Sequence, residues 1–263
     1  MIDEFSRRMK SYEEVTRSVL IPHSVYVIRI DGRSFHHYLR DASKPFDMKF
    51  ISDMQHVAKF ICREITGTQF AYGQSDEISF IVWDESTKTE PWFGGVVQKI
   101  VSVAAGMASV YLSARRSSDR YPHFDARVFN LPSWVEAANY ILWRQRDAIN
   151  NSIQMAAQAY WPADRLRNVP IDQLQELLFS HHKVNWNDYQ DIVKRGWVIS
   201  PKVERFARTV DGTKFTERTV WEESSPHFGT IDHEFFAVLR GDSHHQKDPE
   251  PVIPPLDTEG GSP

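Results

Sequence analysis

The strongest constraint on the fold is a run of β-branched and aromatic residues at positions 25–30, Val-Tyr-Val-Ile-Arg-Ile. The run is too apolar on both faces for an exposed strand, so it predicts a central strand that is buried on both sides. It ends at Asp31-Gly32, where glycine permits a tight turn. A second apolar run, 78–83, directly follows Tyr-Gly-Gln-Ser-Asp-Glu at 72–77. Each run therefore places a carboxylate where a strand meets a turn, Asp31 in the first and Asp76 in the second.

The order of the elements predicts how these two motifs lie in space. Residues 25–130 read as strand, helix, strand, strand, helix, strand, with Asp47 as the N-cap of the first helix and a short hairpin around 73–76. This order is the split βαβ arrangement of a ferredoxin-like α+β fold. In it, the end of the first strand lies beside the hairpin that joins the next two strands. Asp31 and Asp76 are therefore expected to be neighbours, although they are far apart in sequence.

The rest of the chain predicts an extension to this core. We expect a core domain at residues 1–132, which begins with a polar helix from Ile2 to about Leu20, and a mostly helical extension with one β-hairpin at residues 133–241. Ser133 would cap a long helix that ends near Tyr160, and a shorter helix would run from about 171 to 179. Asp-Gly at 211–212 predicts the turn of the hairpin. Residues 242–263 are rich in Pro, Gly and acidic residues, which predicts a disordered tail.

Composition excludes several classes of protein. The net charge of −4 argues against a uniformly basic nucleic-acid binder, so any such binding must use a local patch. Cys62 is the single cysteine, which excludes an intrachain disulfide and argues against a cysteine-based zinc site. The sequence has no stretch of the roughly 18 apolar residues that a membrane span needs, and no apolar segment of a secretory signal near its start. We expect a soluble, cytoplasmic protein without a membrane partner.

The two motifs suit the binding of a metal-bound nucleoside triphosphate. Two Mg²⁺ ions about 3.5–4 Å apart can clamp the attacking and leaving oxygens of a phosphoryl or nucleotidyl transfer. Mg²⁺ prefers hard oxygen ligands, which Asp31, Asp76 and the backbone carbonyl of Gly32 would supply. The backbone N–H groups of residues 32–35 would form an anion-binding nest. Further candidate phosphate ligands are Arg29, Lys44, Ser75 and Lys99. Each motif alone is typical of a solvated turn.

Together, the motifs closely resemble the histidine-tRNA guanylyltransferase family. The matching segments are Arg-Ile-Asp-Gly-Arg-Ser-Phe-His at 29–36, Lys-Pro at 44–45, Ala-Tyr-Gly-Gln-Ser-Asp-Glu at 71–77, Phe-Asp-Ala-Arg-Val at 124–128, Trp-Arg-Gln at 143–145 and Lys-Arg-Gly at 194–196. The resemblance spans roughly Phe5 to Val203. It implies a polymerase palm with two Mg²⁺ ions that adds nucleotides to the 5′ end of tRNA, after ATP or GTP has activated that end.

The resemblance also implies roles for individual residues. Metal ligands would be Asp31, the Gly32 carbonyl and Asp76, with Glu77 as an essential acidic residue. Nucleotide contacts would come from Arg29, Gly32, Arg33, Ser34, Phe35, His36, Lys44, Ser75, Asp76 and Lys99. Candidate RNA contacts are Asn151, Lys194 and Arg195. Family members are usually tetramers, so a homotetramer arranged as a dimer of dimers is expected.

Two departures indicate which branch of the family the sequence resembles. Ile149 stands where eukaryotic members have a histidine that helps to recognise the histidine anticodon, and Gly94-Gly95 stand where they have basic residues. This pattern resembles the bacterial and archaeal guanylyltransferase-like proteins, which repair 5′-truncated tRNAs by templated 3′–5′ addition. The alternatives are a guanylyltransferase dedicated to histidine tRNA and a non-catalytic RNA-binding protein. The intact Asp31, Asp76 and Glu77 argue against the non-catalytic alternative.

Overall fold

The structure is a computed structural model that describes residues 3–83, 90–207, 215–225 and 228. Its helices and strands are, in chain order, α1 (Glu4–Glu14), β1 (Tyr26–Gly32), α2 (Phe35–Tyr38), α3 (Met48–Glu64), β2 (Thr68–Gln74), β3 (Glu77–Val82), α4 (Val97–Arg115), β4 (Phe124–Asn130), α5 (Trp134–Gln158), α6 (Ile171–His182), α7 (Asp191–Arg195), β5 (Trp197–Ala207) and β6 (Phe215–Ser224). Three short 3-10 segments lie at Trp92–Gly95, Ala163–Leu166 and Trp186–Asp188.

The strands form one antiparallel sheet in the order β4-β1-β3-β2-β5-β6. The first four strands have the order of the ferredoxin-like fold, and β1 is central, as its apolar sequence predicts. The predicted α+β fold is therefore confirmed. In β1, Tyr26 pairs with Val82 of β3 on one side and with Asn130 of β4 on the other. The opposite end of β1, at Asp31 and Gly32, forms the edge of the sheet that carries both sequence motifs.

The hairpin β5–β6 extends the same sheet beyond β2. Gly73 of β2 pairs with Trp197 of β5, and a Cβ atom at Gly73 would lie 2.2 Å from the indole ring. The missing side chain therefore makes room for Trp197, which is fully buried. The two strands pair from Val198↔Ser224 to Ala207↔Phe215. The predicted Asp-Gly turn at 211–212 and the predicted tail at 242–263 lie outside the described residues.

Alternation along the strands sorts side chains between two faces. Ile28 and Ile30 of β1 join the larger core, where Met54 and Ile61 of α3 and Ala108 of α4 cover the sheet. Helix α5 covers the opposite face. Side chains of the sheet and of α5 form a second buried cluster on this face, which includes Val25, Val27, Phe70, Tyr72, Ile81, Trp134, Ala137 and Ile141. Arg29 and Asp31 alternate with Ile28 and Ile30, so they face α5.

The predicted helix boundaries are mostly close to the observed ones. Asp47 caps α3, because its carboxylate accepts a hydrogen bond from the Phe50 amide at 3.0 Å, and Ser133 caps α5 through the Glu136 amide at 3.3 Å. Helix α1 ends at Glu14, several residues before the predicted Leu20, and none of its residues is buried. Helix α6 continues past the predicted end to His182. Its Leu174 and Leu178 pack on Ile153 and Ala156 of α5.

Among the described residues, α4 alone is long and apolar enough, by length and composition, to cross a membrane. Core helices of soluble proteins can pass the same test. Ile100, Ala104, Ala108 and Leu112 of α4 are completely buried against the sheet. Its Val110 is 72% exposed.

Candidate active site

Both sequence motifs lie at one edge of the sheet. Asp31 of β1 pairs with Glu77 of β3, and the amide of Gly32 donates a hydrogen bond of 3.1 Å to the carbonyl of Asp76. Ser75 has a positive φ of 47°, which closes the tight turn between β2 and β3. The structure therefore brings Asp31, Gly32, Asp76 and Glu77 together, as the order of elements predicts. Their roles as ligands stay a prediction.

Asp76 is a half-buried carboxylate that lies against a glycine. Its pKa is raised to about 6, chiefly by burial and also by the nearby charge of Asp31, although backbone and Ser75 hydrogen bonds and the nearby His36 oppose the increase. A Cβ atom at Gly32 would lie 2.6 Å from Oδ2 of Asp76 and 2.4 Å from the ring of Phe35. Glycine at position 32 therefore leaves the space that the Asp76 carboxylate occupies.

Glu77, the next residue, faces the opposite side of the sheet and has two cationic partners. Arg144 of α5 donates two hydrogen bonds of 2.7 Å to its carboxylate, from Nε to Oε1 and from Nη2 to Oε2. Nε of Arg29 lies 3.6 Å from Oε2. Burial raises the pKa of Glu77, and both arginines oppose that increase. Glu77 is thus held in a buried ion pair rather than free to bind a substrate group.

Arg144 and Arg29 connect this ion pair to other acidic side chains. Arg144 also donates to Asp147 Oδ2 at 2.9 Å, and Arg29 donates to Asp31 Oδ2 at 3.1 Å. Asn151 donates to the same Asp147 oxygen at 3.3 Å. The result is a polar network that fixes one face of α5 against the sheet edge.

Two cavities meet at the turn between β2 and β3. Cavity A, of about 440 Å³, lies on the side of α3 and has a mixed lining that includes Phe35, His36, Leu39, Lys44, Pro45, Phe50, Ser75, Asp76, Asn151, Met155 and Trp197. Cavity B, of about 470 Å³, lies under α5 and is lined by Arg29, Asp31, Gln74, Ser75, Asp76, Glu77, Arg144, Asp147, Asn151, Gln154, Met155 and Gln158. Both cavities share six lining residues, so Asp76 stands at the boundary between them: Gln74, Ser75, Asp76, Asn151, Met155 and Gln158.

The geometry can be compared with known proteins. A sequence profile described as tRNAHis guanylyltransferase matches residues 6–132. A bacterial tRNA(His) guanylyltransferase-like protein, solved in complex with ATP, is 32% identical with a TM-score of 0.78, over 90% of this chain and 98% of that one. This chain belongs to the tRNA(His) guanylyltransferase family.

Other members of the family are also similar to this chain in sequence or structure. The GTP complex of a bacterial guanylyltransferase-like protein is 32% identical, with a TM-score of 0.75 over 90% of this chain and 99% of that one. The tRNA(His) guanylyltransferase of Schizosaccharomyces pombe is 28% identical over 255 residues, which are 87% of this chain and 93% of that protein. A probable tRNA(His) guanylyltransferase of Mus musculus is 31% identical over 198 residues, and the match spans 68% of this chain and 65% of the mouse protein. The family consists of nucleotidyltransferases.

Not every residue that the family resemblance implies lies at the site. Lys99 is in the first turn of α4, whose start at Val96 bridges to Val19 ahead of β1. The other end of α4 lies near the site, since Ser109 accepts a hydrogen bond from the amide of Phe124, the residue that pairs with Gly32. Lys99 therefore lies at the far end of the sheet. Its contact with a nucleotide stays a prediction.

The basic pair Lys194-Arg195 of α7 also lies in a particular environment. Lys194 is buried, donates to the carbonyl of Asn187 at 2.8 Å and lies 3.3 Å from Asp191. Arg195 forms an ion pair with the same Asp191, and its guanidinium lies over the ring of Trp186. Both cations have partners within the chain, and their contact with RNA stays a prediction.

The other residues that the family resemblance gives as nucleotide contacts differ in their solvent exposure. Phe35 is buried among Tyr38, Phe50 and Phe124, and it contributes one edge of the wall of cavity A. His36 and Lys44 are exposed and line that cavity. Arg33 and Ser34 are exposed but line neither cavity. Arg29 faces cavity B with only 13% of its side chain exposed, and it is already paired with acidic groups.

The donor set at the edge fits a hard cation. No group of three His, Cys, Asp or Glu side chains converges on a metal position in the part of the chain that is described. A metal here would therefore take Asp31, Asp76 and the Gly32 carbonyl, with further ligands from water or substrate phosphates. An all-oxygen set with open positions is what Mg²⁺ uses in nucleotide enzymes. Asp76 fits this role because its half-buried carboxylate has no cationic partner among the described side chains within ion-pair distance.

Arg144 and Asp147 are the functional candidates that sequence reasoning missed. Arg144 belongs to the Trp-Arg-Gln segment of the resemblance, but no role was predicted for it. The sequence could have predicted that Arg144 is buried, because it lies three residues after Ile141 and four before Ala148, on the buried face of α5. A charged residue on such a face needs a partner of opposite charge.

Proposed function

We propose that this protein is a template-dependent 3′–5′ nucleotidyltransferase that repairs the 5′ end of truncated tRNA. The observation that carries the proposal is the position of Asp76, at the boundary between two cavities and beside Asp31. Support comes from the family and from the bacterial guanylyltransferase-like structures that bind ATP and GTP. An enzyme that joins a nucleotide to an RNA end needs two adjacent binding spaces with the reacting groups at their boundary.

Cavity A suits the activating nucleotide. Its apolar wall of Phe35, Phe50 and Met155 matches a base, and the exposed Lys44 and His36 at its rim match a triphosphate. In the proposed first reaction, a 5′-phosphate oxygen of the RNA bonds to the α-phosphorus of ATP, and pyrophosphate leaves. In the second, the 3′-hydroxyl oxygen of the incoming nucleotide bonds to the phosphorus of the RNA 5′-phosphate and loses its proton to solvent. The anhydride bond between that phosphorus and AMP breaks, and AMP leaves.

We also propose two Mg²⁺ ions as cofactors, held by Asp31, Asp76 and the Gly32 carbonyl. When bound, they would neutralise triphosphate charge and polarise the reacting phosphate. Arg144 and Arg29 would hold Glu77 and Asp31 in fixed orientations. A cytoplasmic homotetramer, arranged as a dimer of dimers, remains part of the proposal and rests on the family resemblance.

A tRNA(His)-specific guanylyltransferase is the second candidate, because several relatives carry that name. Ile149 argues against it, since this side chain packs with the α5–α6 cluster and has no group that hydrogen-bonds a base. The observation therefore favours repair without a fixed tRNA identity.

The test is nucleotide addition to tRNAs of several identities, each full-length or lacking its first nucleotide, with Mg²⁺, ATP and GTP. We expect extension of the truncated tRNAs with the nucleotide complementary to the opposite strand of the acceptor stem. Addition that ignores the template base would refute repair. Addition of G only to full-length histidine tRNA would establish the second candidate instead.

A further inference from the structure

A row of amide side chains runs along α5 away from the carboxylates. Asn151, Gln154 and Gln158 follow Asp147 at intervals of four, three and four residues, so they lie on one face of the helix. From Asp147 to Gln158 this face is about 16 Å long. All four side chains line cavity B. The row thus begins at the proposed reaction centre and ends at the last residue of α5.

A third cavity continues the row. Cavity C, of about 370 Å³, is lined by Gln154, Gln158 and the segment after α5, including Asp164, Arg167 and Asn168. Because Gln154 and Gln158 line both cavities, B and C adjoin along one helix face. We call cavities B and C together the α5 groove.

The two glutamines at the centre of the α5 groove are available to a ligand. Both are exposed, and neither side chain makes a hydrogen bond to another residue within the described ranges. An amide offers two donors and an acceptor, and carries no charge. Such groups match hydroxyls and base edges better than they match a triphosphate, which is bound by cations.

We propose that the α5 groove binds the 5′-terminal nucleotides of the RNA strand that is extended, with Gln154 and Gln158 bonded to ribose 2′-hydroxyls. This inference rests on the proposed function and names the substrate element that cavity B receives. A single nucleotide would fill one cavity, whereas the amide row matches about four stacked nucleotides at roughly 3.4 Å each. A-form RNA presents its 2′-hydroxyls in a wide, shallow groove that side chains reach.

Arg167 has a separate role at the far end of the α5 groove. It is exposed and has no acidic partner within ion-pair distance among the described residues. A cation there would contact a backbone phosphate several nucleotides from the 5′ end. Arg165, two residues earlier, is equally exposed but does not line cavity C, so it is a matched control.

The experiment measures binding without catalysis. Fluorescence anisotropy of the full chain is recorded with a tRNA that lacks its first nucleotide, and with the same tRNA carrying 2′-deoxyribose in its four 5′-terminal nucleotides. We expect the wild type to bind the deoxy form about tenfold more weakly, as for loss of two hydrogen bonds. The variant Gln154→Ala/Gln158→Ala should bind the all-RNA form equally weakly and lose nothing further with the deoxy form.

Controls separate this result from a general effect. Gln173→Ala, an exposed amide on α6, should behave as the wild type. Arg167→Ala should weaken both RNAs alike and lower the salt dependence by about one phosphate contact, whereas Arg165→Ala should not. The proposal is overturned if the deoxy form weakens wild type and double variant to the same degree. It is also overturned if the double variant raises KM for ATP but leaves RNA affinity unchanged.

The assay also separates this inference from the proposed function. Wild-type protein that adds no nucleotide to any tRNA would refute repair, while the deoxyribose comparison would still decide whether the α5 groove binds RNA. Conversely, normal templated addition by the double variant with unchanged KM for tRNA would refute the α5 groove and leave the repair proposal standing.

Discussion

Asp76 and Glu77 are adjacent in sequence but lie in different electrostatic environments. Asp76 faces the side of α3, has no arginine partner and has a pKa raised to about 6 by burial. Glu77 faces α5 and receives two hydrogen bonds from Arg144. One peptide unit at the start of a strand is enough to send neighbouring side chains to opposite faces of the sheet.

Their different environments suit Asp76 and Glu77 to different roles. The charged form of a half-buried carboxylate without a cationic partner is disfavoured until a cation binds it, which suits a metal ligand. A carboxylate already held by a bidentate arginine has little remaining capacity for a ligand, so it suits fixing the position of its neighbours. Cavities A and B follow the same division, since A has an apolar wall and B contains the paired charges.

The largest expected effect comes from Asp76→Asn. The amide keeps the shape but cannot share a divalent cation as a carboxylate does, so nucleotide addition should fall by at least about 10³-fold. Stability should not fall, because burial already disfavours the charge that is removed. Single-turnover addition and urea denaturation measure the two quantities. If Asp76→Asn retained near-normal addition, the metal assignment would be wrong.

Arg144→Met tests the contribution of the Arg144–Glu77 ion pair. Removal of the guanidinium leaves Glu77 buried without its main partner, which should cost about 3–5 kcal/mol of unfolding free energy. The exposed Arg146 lies on the same helix, and Arg146→Met should cost less than about 0.5 kcal/mol. Urea denaturation of both variants gives the difference. Equal stability of the two variants would show that the Arg144–Glu77 pair contributes little.

Much of the fold was predictable because local patterns determine it. The two-sided apolar run at 25–30 predicts a central strand, and the order of elements predicts that Asp31 and Asp76 meet. Asp47 and Ser133 were recognisable as caps because an N-cap acts within three residues along the chain. These predictions need no information on how distant elements pack.

The parts that sequence reasoning missed depend on tertiary register. Arg144 meets Glu77 only because one turn of α5 lies over the start of β3. Lys194 looks like a surface cation but is buried, since α7 lies against Trp186 and the carbonyl of Asn187 accepts a hydrogen bond from its ammonium. The family resemblance implies a nucleotide contact for Lys99, yet the direction of α4 places this residue at the other end of the sheet.

A smaller effect is expected from Gly32→Ala. The added methyl group would lie 2.4 Å from the ring of Phe35 and 2.6 Å from Asp76, so one of them must move. A displacement of about 1 Å at a reacting group can lower the rate roughly 10²-fold. Gly106→Ala is the control, because its Cβ would meet nothing within 4 Å and should stabilise α4 by about 0.5–1 kcal/mol. Unchanged addition by Gly32→Ala would mean that Asp76 tolerates displacement.

The smallest of these effects concerns the rim of cavity A. Lys44→Ala removes an exposed ammonium that lines the cavity and should raise KM for ATP about tenfold, with little change in stability. Lys49→Ala is the matched control, since Lys49 is exposed nearby in the first turn of α3 but does not line cavity A. Initial rates of tRNA activation at varied ATP, with tRNA saturating, measure KM for each variant. If Lys44→Ala changed KM for tRNA and not for ATP, the RNA rather than the nucleotide would occupy cavity A. That exchange would reverse the assignment of the two sides of Asp76.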